Sequence, residues 1–438
     1  MMLGESSSPT YHNFLDELLG IEGSSLDIQG FDVRGDQLYV RAYGKEAPIQ
    51  LMGARLASAA MRDDWTDDLV AWLPEYKRHG MNAAVVFWQG SSAGWTNPTR
   101  ELRTDRLENW EGNAASFCAR GGQDVFERDP ARRCHQAAFH IEADYAVDSE
   151  IGGRMRRIIK AMDALDMVVV VGIFYFRVFQ QMAPENKASY DFRRAARRAA
   201  EYLDDCRNIM WYPYNEYHWH SADDYGPAMT SERQVVQELK AVNPEWVCGG
   251  EAPGLDVQMI DSETYLFNVP SERPLLNVET FALGAGGNDS FSGLCHRCGV
   301  WDEDGYTVKT DRHNPATKND FFREVDGALA RPSYHLFAHL QGWYQGAHPL
   351  NRSRNFMGMS PGRPGGPELK DVNFYNPASP HYANPVLVAD DNQGQGRPGS
   401  RGVHWYYEYL RDRYSKVKHP YFENGEWSLR RLIEAIGT

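Results

Sequence analysis

Cysteine is scarce in this chain, with six in 438 residues, at positions 118, 134, 206, 248, 295 and 298. A scaffold held together by disulfides would need many more at this length, so reduced and buried thiols are expected. Basic residues are also in deficit, 46 against 60 acidic, and the formal charge of −14 disfavours a nucleic-acid partner or an anionic membrane surface. The run Arg193-Arg194-Ala-Ala-Arg197-Arg198 reads as the solvated face of a helix. No apolar stretch approaches the roughly 20 residues that span a bilayer, and Met1 to Gly20 lacks the charged start and apolar core of a secretory signal. The chain as given reads as cytoplasmic, or as secreted if a leader has been removed. A Gly-x-Gly-x-x-Gly after an early strand and a P-loop are both missing, which counts against nucleotide-binding sheets.

What remains is 42% hydrophobic and 24% charged, enough for one barrel-sized core with decorations. Residues 1–45 read as an N-terminal segment whose Phe31 to Arg41 stretch forms a β-hairpin packed on a body of residues 46–438. Within that body, apolar runs alternate with helical patterns. Strands are expected at Ile49–Gly53, Asn82–Trp88, Met167–Tyr175, Asn208–Glu216, Trp246–Gly250, near Met259–Phe267 and at Pro274–Glu279, most of them alternating with helices such as Asp63–Gly80, Ser149–Asp166, Tyr190–Asp205 and Ser231–Val242. Continuously apolar strands between helices are the grammar of a parallel sheet covered on both faces. An eighth strand is expected around Gly346–Leu350 or at Val386–Val388, with Asn319–Tyr344 read as helical. The first choice of fold is therefore an α/β (β/α)8 TIM barrel with long βα loops at 91–145, 284–318 and 351–402, and an open doubly wound sheet is the second.

Two carboxylates stand out. Glu216 ends the apolar approach Trp211-Tyr-Pro-Tyr-Asn-Glu, and Glu279 ends Pro274-Leu-Leu-Asn-Val-Glu before a Gly-containing loop. In a barrel both lie at the carboxyl ends of strands, the fourth and the seventh, where such folds place their chemistry. A convergent pair of this kind is what glycosidic bond cleavage requires, one carboxyl protonated for the leaving oxygen and the other ionised for the anomeric carbon. Glu251 and Glu263 compete for the second role, and Glu279 is preferred because its apolar run is the better strand.

The Asn215-Glu216 pair, Glu279 and the stretch Asp204 to Glu216 resemble the signature of the clan A glycoside hydrolases, retaining (β/α)8 enzymes. That resemblance implies Glu216 as acid/base, Glu279 as nucleophile and Asn215 on the sugar 2-hydroxyl. It also makes Arg55, just past the first strand, a substrate-side residue, and Tyr265 either the hydrogen-bond partner of the nucleophile or a core aromatic. The sequence departs from the pattern where Phe87-Trp88 lacks a nearby Arg and where Gly172-Ile-Phe-Tyr-Phe lacks a His. His218 and Trp219 beyond Glu216, together with Trp88 and Trp343, are candidates for contact with sugar, whose C–H faces suit aromatic platforms.

No cofactor or metal is expected. Cys295-His-Arg-Cys298 has a zinc-like spacing but no second pair, so free thiols or a local disulfide are preferred. The implied partner is a carbohydrate, and the oligomeric state is left open. The rival readings are a non-catalytic carbohydrate-binding barrel and a transglycosylase using the same pair.

Overall fold

The computed structural model describes residues 28–57, 59–60, 63–89, 138–176, 179, 184–217, 225–260, 271–280, 301–302, 305–306, 318–338, 404–417, 422–423 and 426–436. Eight parallel strands, Met52–Arg55, Ala83–Phe87, Val168–Phe174, Ile209–Tyr214, Gly249–Gly250, Val257–Ile260, Leu275–Thr280 and Tyr334–Ala338, make up barrel strands one to eight. They are hydrogen-bonded in the order five, six, seven, eight, one, two, three, four. A parallel bridge between Trp211 and Cys248 joins strand four to the start of strand five, with the Trp211 N–H donating to the Val247 carbonyl at 3.1 Å. The ring is thereby closed, and the (β/α)8 expectation holds.

The chemistry of the strands explains the closure. Strands two, three and four are buried at every residue because the sheet is covered on both faces. Helices Asp63–Arg78, Ser149–Asp163, Phe192–Tyr202, Glu232–Val242, Lys318–Leu329 and His404–Val417 supply the outer layer. Three of these have side-chain caps at their starts: Asp148 accepts from the Glu150 and Ile151 amides, Asp191 from Arg194, and Ser231 forms a reciprocal capping box with Gln234. Strands five and six are joined by residues 251–256 without a helix.

Amide side chains at the entries to the strands tie neighbours together. Asn82 accepts from the Met52 amide at 2.8 Å and donates to the Gln50 carbonyl at 2.8 Å. Asn208 donates to the Ile159 and Met167 carbonyls at 3.0 and 3.1 Å. The expected hairpin is present as Ile28–Arg34 and Gln37–Ala42, and a third antiparallel strand, Lys45–Pro48, extends it. This small sheet sits against the amino ends of the barrel strands. Arg41 pairs with Glu245 at 3.1 Å, and Ile28 and Gln29 share a cleft with Cys206, Arg207 and Asn208.

The eighth strand corrects the sequence reading. It is Tyr334–Ala338, inside the stretch read as helical, and the helix there ends at Leu329. Pro332 stops the helix, and the five residues that follow are too short for periodicity to separate strand from helix. A polar residue within the run disguised it further. His335 is fully buried, its Nδ1 accepts the Leu51 N–H at 2.9 Å, and burial pulls its pKa down to about 3, so the ring is neutral.

One buried charge gives a pH-dependent stability. Asp166, in the turn before strand three, has a left-handed backbone (φ 60°), and burial pushes its carboxyl up to about 6 although Lys77 at 3.6 Å pulls the other way. The unfolded chain releases this proton near 3.9, so the stabilisation from the protonated form is full below about pH 4 and lost as pH rises through about 6. Asp166→Asn removes the buried anion and suits the left-handed backbone. It is expected to raise unfolding free energy in urea by about 1–2 kcal/mol at pH 8, an advantage that shrinks towards zero at pH 4. A variant equally stabilised at both pH values would contradict this.

Candidate active site

Strand four delivers the site. Its last ladder bond runs one residue past the strand, from the Asn215 N–H to the Phe174 carbonyl at 2.9 Å. At Glu216 the chain then turns left-handed, with φ 52°. For a residue with a Cβ this conformation costs roughly 1–2 kcal/mol, so the surroundings must hold it. Two tyrosines do so. The Glu216 N–H donates to the Tyr212 hydroxyl at 3.2 Å, and the Tyr225 hydroxyl donates to the Asn215 carbonyl at 2.7 Å. Glu216 retains 7% exposure, so the residue is nearly but not wholly withdrawn from solvent.

Arg55, the last residue of strand one, is fully buried and reaches across to strand four, where its Nη2 donates to the Asn215 Oδ1. A guanidinium only donates, so this contact fixes which end of the Asn215 amide is oxygen and turns its NH2 the other way. The guanidinium lies over the Phe87 ring at 5.0 Å and the Tyr175 ring at 6.0 Å. Aromatic faces replace part of the hydration that a buried cation gives up. Phe87 in turn lies over Gly172, where a Cβ would come within 2.3 Å of the ring. Gly172→Ala is therefore expected to push Phe87 aside, loosen Arg55 and Asn215, and cost about 1–3 kcal/mol in urea denaturation. A stability within about 0.3 kcal/mol of wild type, no more than the error of such measurements, would show that the ring yields freely.

The other sequence-derived candidates fall in different places. Glu279 is the penultimate residue of strand seven, and the strand order puts strand seven three steps from strand four around the ring. Trp88 is fully buried, with Phe139 and Tyr202 ring centroids at 5.8 and 5.9 Å, and packs there as a core aromatic. His218, Trp219, Tyr265 and Trp343 lie outside the described residues, as do Glu263 and the cysteines at 118, 134, 295 and 298. Tyr212, Tyr225, Phe87 and Tyr175 were not singled out from sequence. The Tyr-Pro-Tyr before Asn215 was the one available signal for Tyr212.

Cys206 and Cys248 are free and buried. Burial pushes the Cys206 thiol up to about 12 and the Cys248 thiol higher still, so neither is a thiolate nucleophile near neutral pH. Among the described residues no cluster of three or more His, Cys, Asp or Glu could hold a metal ion, and no helix is long and apolar enough to cross a membrane.

No family model matches the sequence, and no curated protein matches it. Solved structures do. The chain is similar to a glycoside hydrolase at TM-score 0.44 and 12% identity, over 90% of this chain and 77% of that one. It is similar to a glycoside hydrolase family 5 protein from Bacteroides vulgatus ATCC 8482 at TM-score 0.42 and 11% identity, over 73% of this chain and 64% of that one. A third similarity, at TM-score 0.37 and 10% identity, is to the β-mannanase of the blue mussel Mytilus edulis, over 79% of this chain and 99% of the mussel protein.

Proposed function

We propose that this chain is a retaining glycoside hydrolase that cleaves β-glycosidic bonds of an oligo- or polysaccharide, with Glu216 as acid/base and Glu279 as nucleophile. The observation that carries the reading is the left-handed Glu216 at the carboxyl end of barrel strand four, braced by Tyr212, Tyr225 and the Arg55–Asn215 bond. A strained residue held by several independent contacts at the working end of a barrel supports a functional role for its side chain.

In the first step the Glu279 carboxylate attacks the anomeric carbon while the Glu216 carboxyl gives its proton to the departing glycosidic oxygen, leaving a glycosyl ester on Glu279 and a free alcohol. In the second, Glu216, now ionised, takes a proton from water as the water oxygen attacks the same carbon and the ester bond to Glu279 breaks. The amide NH2 of Asn215, oriented by Arg55, suits a hydrogen bond to the sugar 2-hydroxyl that strengthens as the ring gains positive charge.

The test is hydrolysis of a panel of polysaccharides and aryl β-glycosides, with the first-formed anomer followed by proton NMR. Two displacements release the β-anomer before mutarotation. Release of the α-anomer first, or no hydrolysis of any panel member, would rule the mechanism out.

A further inference from the structure

Glu232 stands at the first position of helix Glu232–Val242, where an acidic residue is usually solvated and serves only the helix dipole. Here it is fully buried. Its Oε2 accepts the Ala252 N–H at 2.6 Å, just beyond strand five, and its carboxyl lies against Gly250, where a Cβ would come within 2.5 to 2.9 Å of three carboxyl atoms. The strand-five end is thus shaped around this side chain, with glycine where any other residue would expel it.

The same segment holds the other side of the site. Tyr214 and Tyr217 bracket the Asn215-Glu216 pair. The Tyr214 hydroxyl is 3.3 Å from the Thr230 Oγ1, and the Tyr217 hydroxyl is hydrogen-bonded to the Glu232 backbone. Residues 230–232 therefore receive both flanking tyrosines from the end of strand four, while the Glu232 carboxylate grips the end of strand five. We infer that Glu232 is a positioning residue, which locks the loop after strand four to the loop after strand five and so holds Glu216 in its left-handed seat. Its role rests on the reading of Glu216 as the acid/base, and it acts through backbone placement without touching substrate.

Glu232→Ala is expected to lower kcat on aryl β-glycosides by about 10²-fold with KM within about threefold, because a displacement of about 1 Å at a catalytic group costs that much. Amide hydrogen exchange across residues 214–217 should accelerate by at least about tenfold in the same variant. Glu232→Gln keeps an acceptor in the seat and should recover kcat to within about fivefold of wild type. If Glu232→Ala does not fold, Gly250→Ala displaces the carboxylate without removing it and should show the same kcat loss. Unchanged kcat and exchange in the variant that folds would overturn the inference, as would Glu232→Gln being as impaired as Glu232→Ala, since that would point to charge and not to placement. Glu216→Gln is run beside them. Should it turn over like wild type, the acid/base reading falls, and the exchange measurement alone still decides whether Glu232 holds the loop.

Discussion

Glu216→Gln is expected to lower kcat on glycosides with poor leaving groups by about 10² to 10⁴-fold, the range attributable to a lost general acid and base. The change is close to isosteric and the backbone bonds from the Glu216 N–H to Tyr212 and from Tyr225 to Asn215 do not involve the carboxyl, so the fold should survive. The size of the loss should depend on the leaving group. From a dinitrophenyl glycoside the dinitrophenolate departs without a proton, so the first step needs little from residue 216, and only the second step, which needs a base to activate water, should be slow. Azide requires no base. Added azide should therefore attack the glycosyl ester, release Glu279 and yield the β-glycosyl azide with restored turnover. Glu279→Ala should behave differently, losing activity on every leaving group and giving the α-glycosyl azide by direct displacement. Identical leaving-group profiles for the two variants would refute the division of labour.

The sequence exposed those two positions because each closes a run of residues suited to a buried strand, and a polar residue at such a boundary is conspicuous. Strands two to four were readable for the same reason, their residues being apolar on both faces. Strand eight was not, since His335 interrupts its apolar run and becomes acceptable only once Leu51 supplies a donor and the ring stays neutral. Strand five, expected over Trp246–Gly250, is present but confined to Gly249–Gly250, which pair with Val257 and Gln258. The supporting residues of the site were hidden for another reason. Phe87, Tyr175, Tyr212 and Tyr225 look like ordinary core aromatics, and their roles depend on which polar group each meets after residues far apart in the chain come together. Glu232 is the sharpest case. Its sequence setting is that of a solvated helix start, and only the tertiary structure reveals that its carboxylate is enclosed by Gly250 and Ala252.

Gly53→Ala is expected to destabilise the fold by at least about 3 kcal/mol, at the severe end for a single added methyl group. Gly53 lies in strand one between its register partners Ala83 and Phe337. A Cβ there would stand 2.0 Å from the Ala83 carbonyl oxygen and 3.2 Å from the Phe337 ring. The nearer obstacle is backbone committed to the sheet, so it cannot rotate away as a side-chain tip would, and relief requires strands one and two to separate or slide. Either movement carries Arg55 with it, because Arg55 lies two residues further along the same short strand and its bond to Asn215 spans the mouth. Activity should consequently fall more steeply than folded fraction. Urea denaturation with a turnover assay at a concentration where the variant is still folded separates the two effects. A variant as stable as wild type would show that the close approach of strands one and two is not a constraint on the barrel. One that is destabilised yet fully active per folded molecule would show that Arg55 keeps its place by its aromatic and amide contacts alone, independently of the strand that bears it.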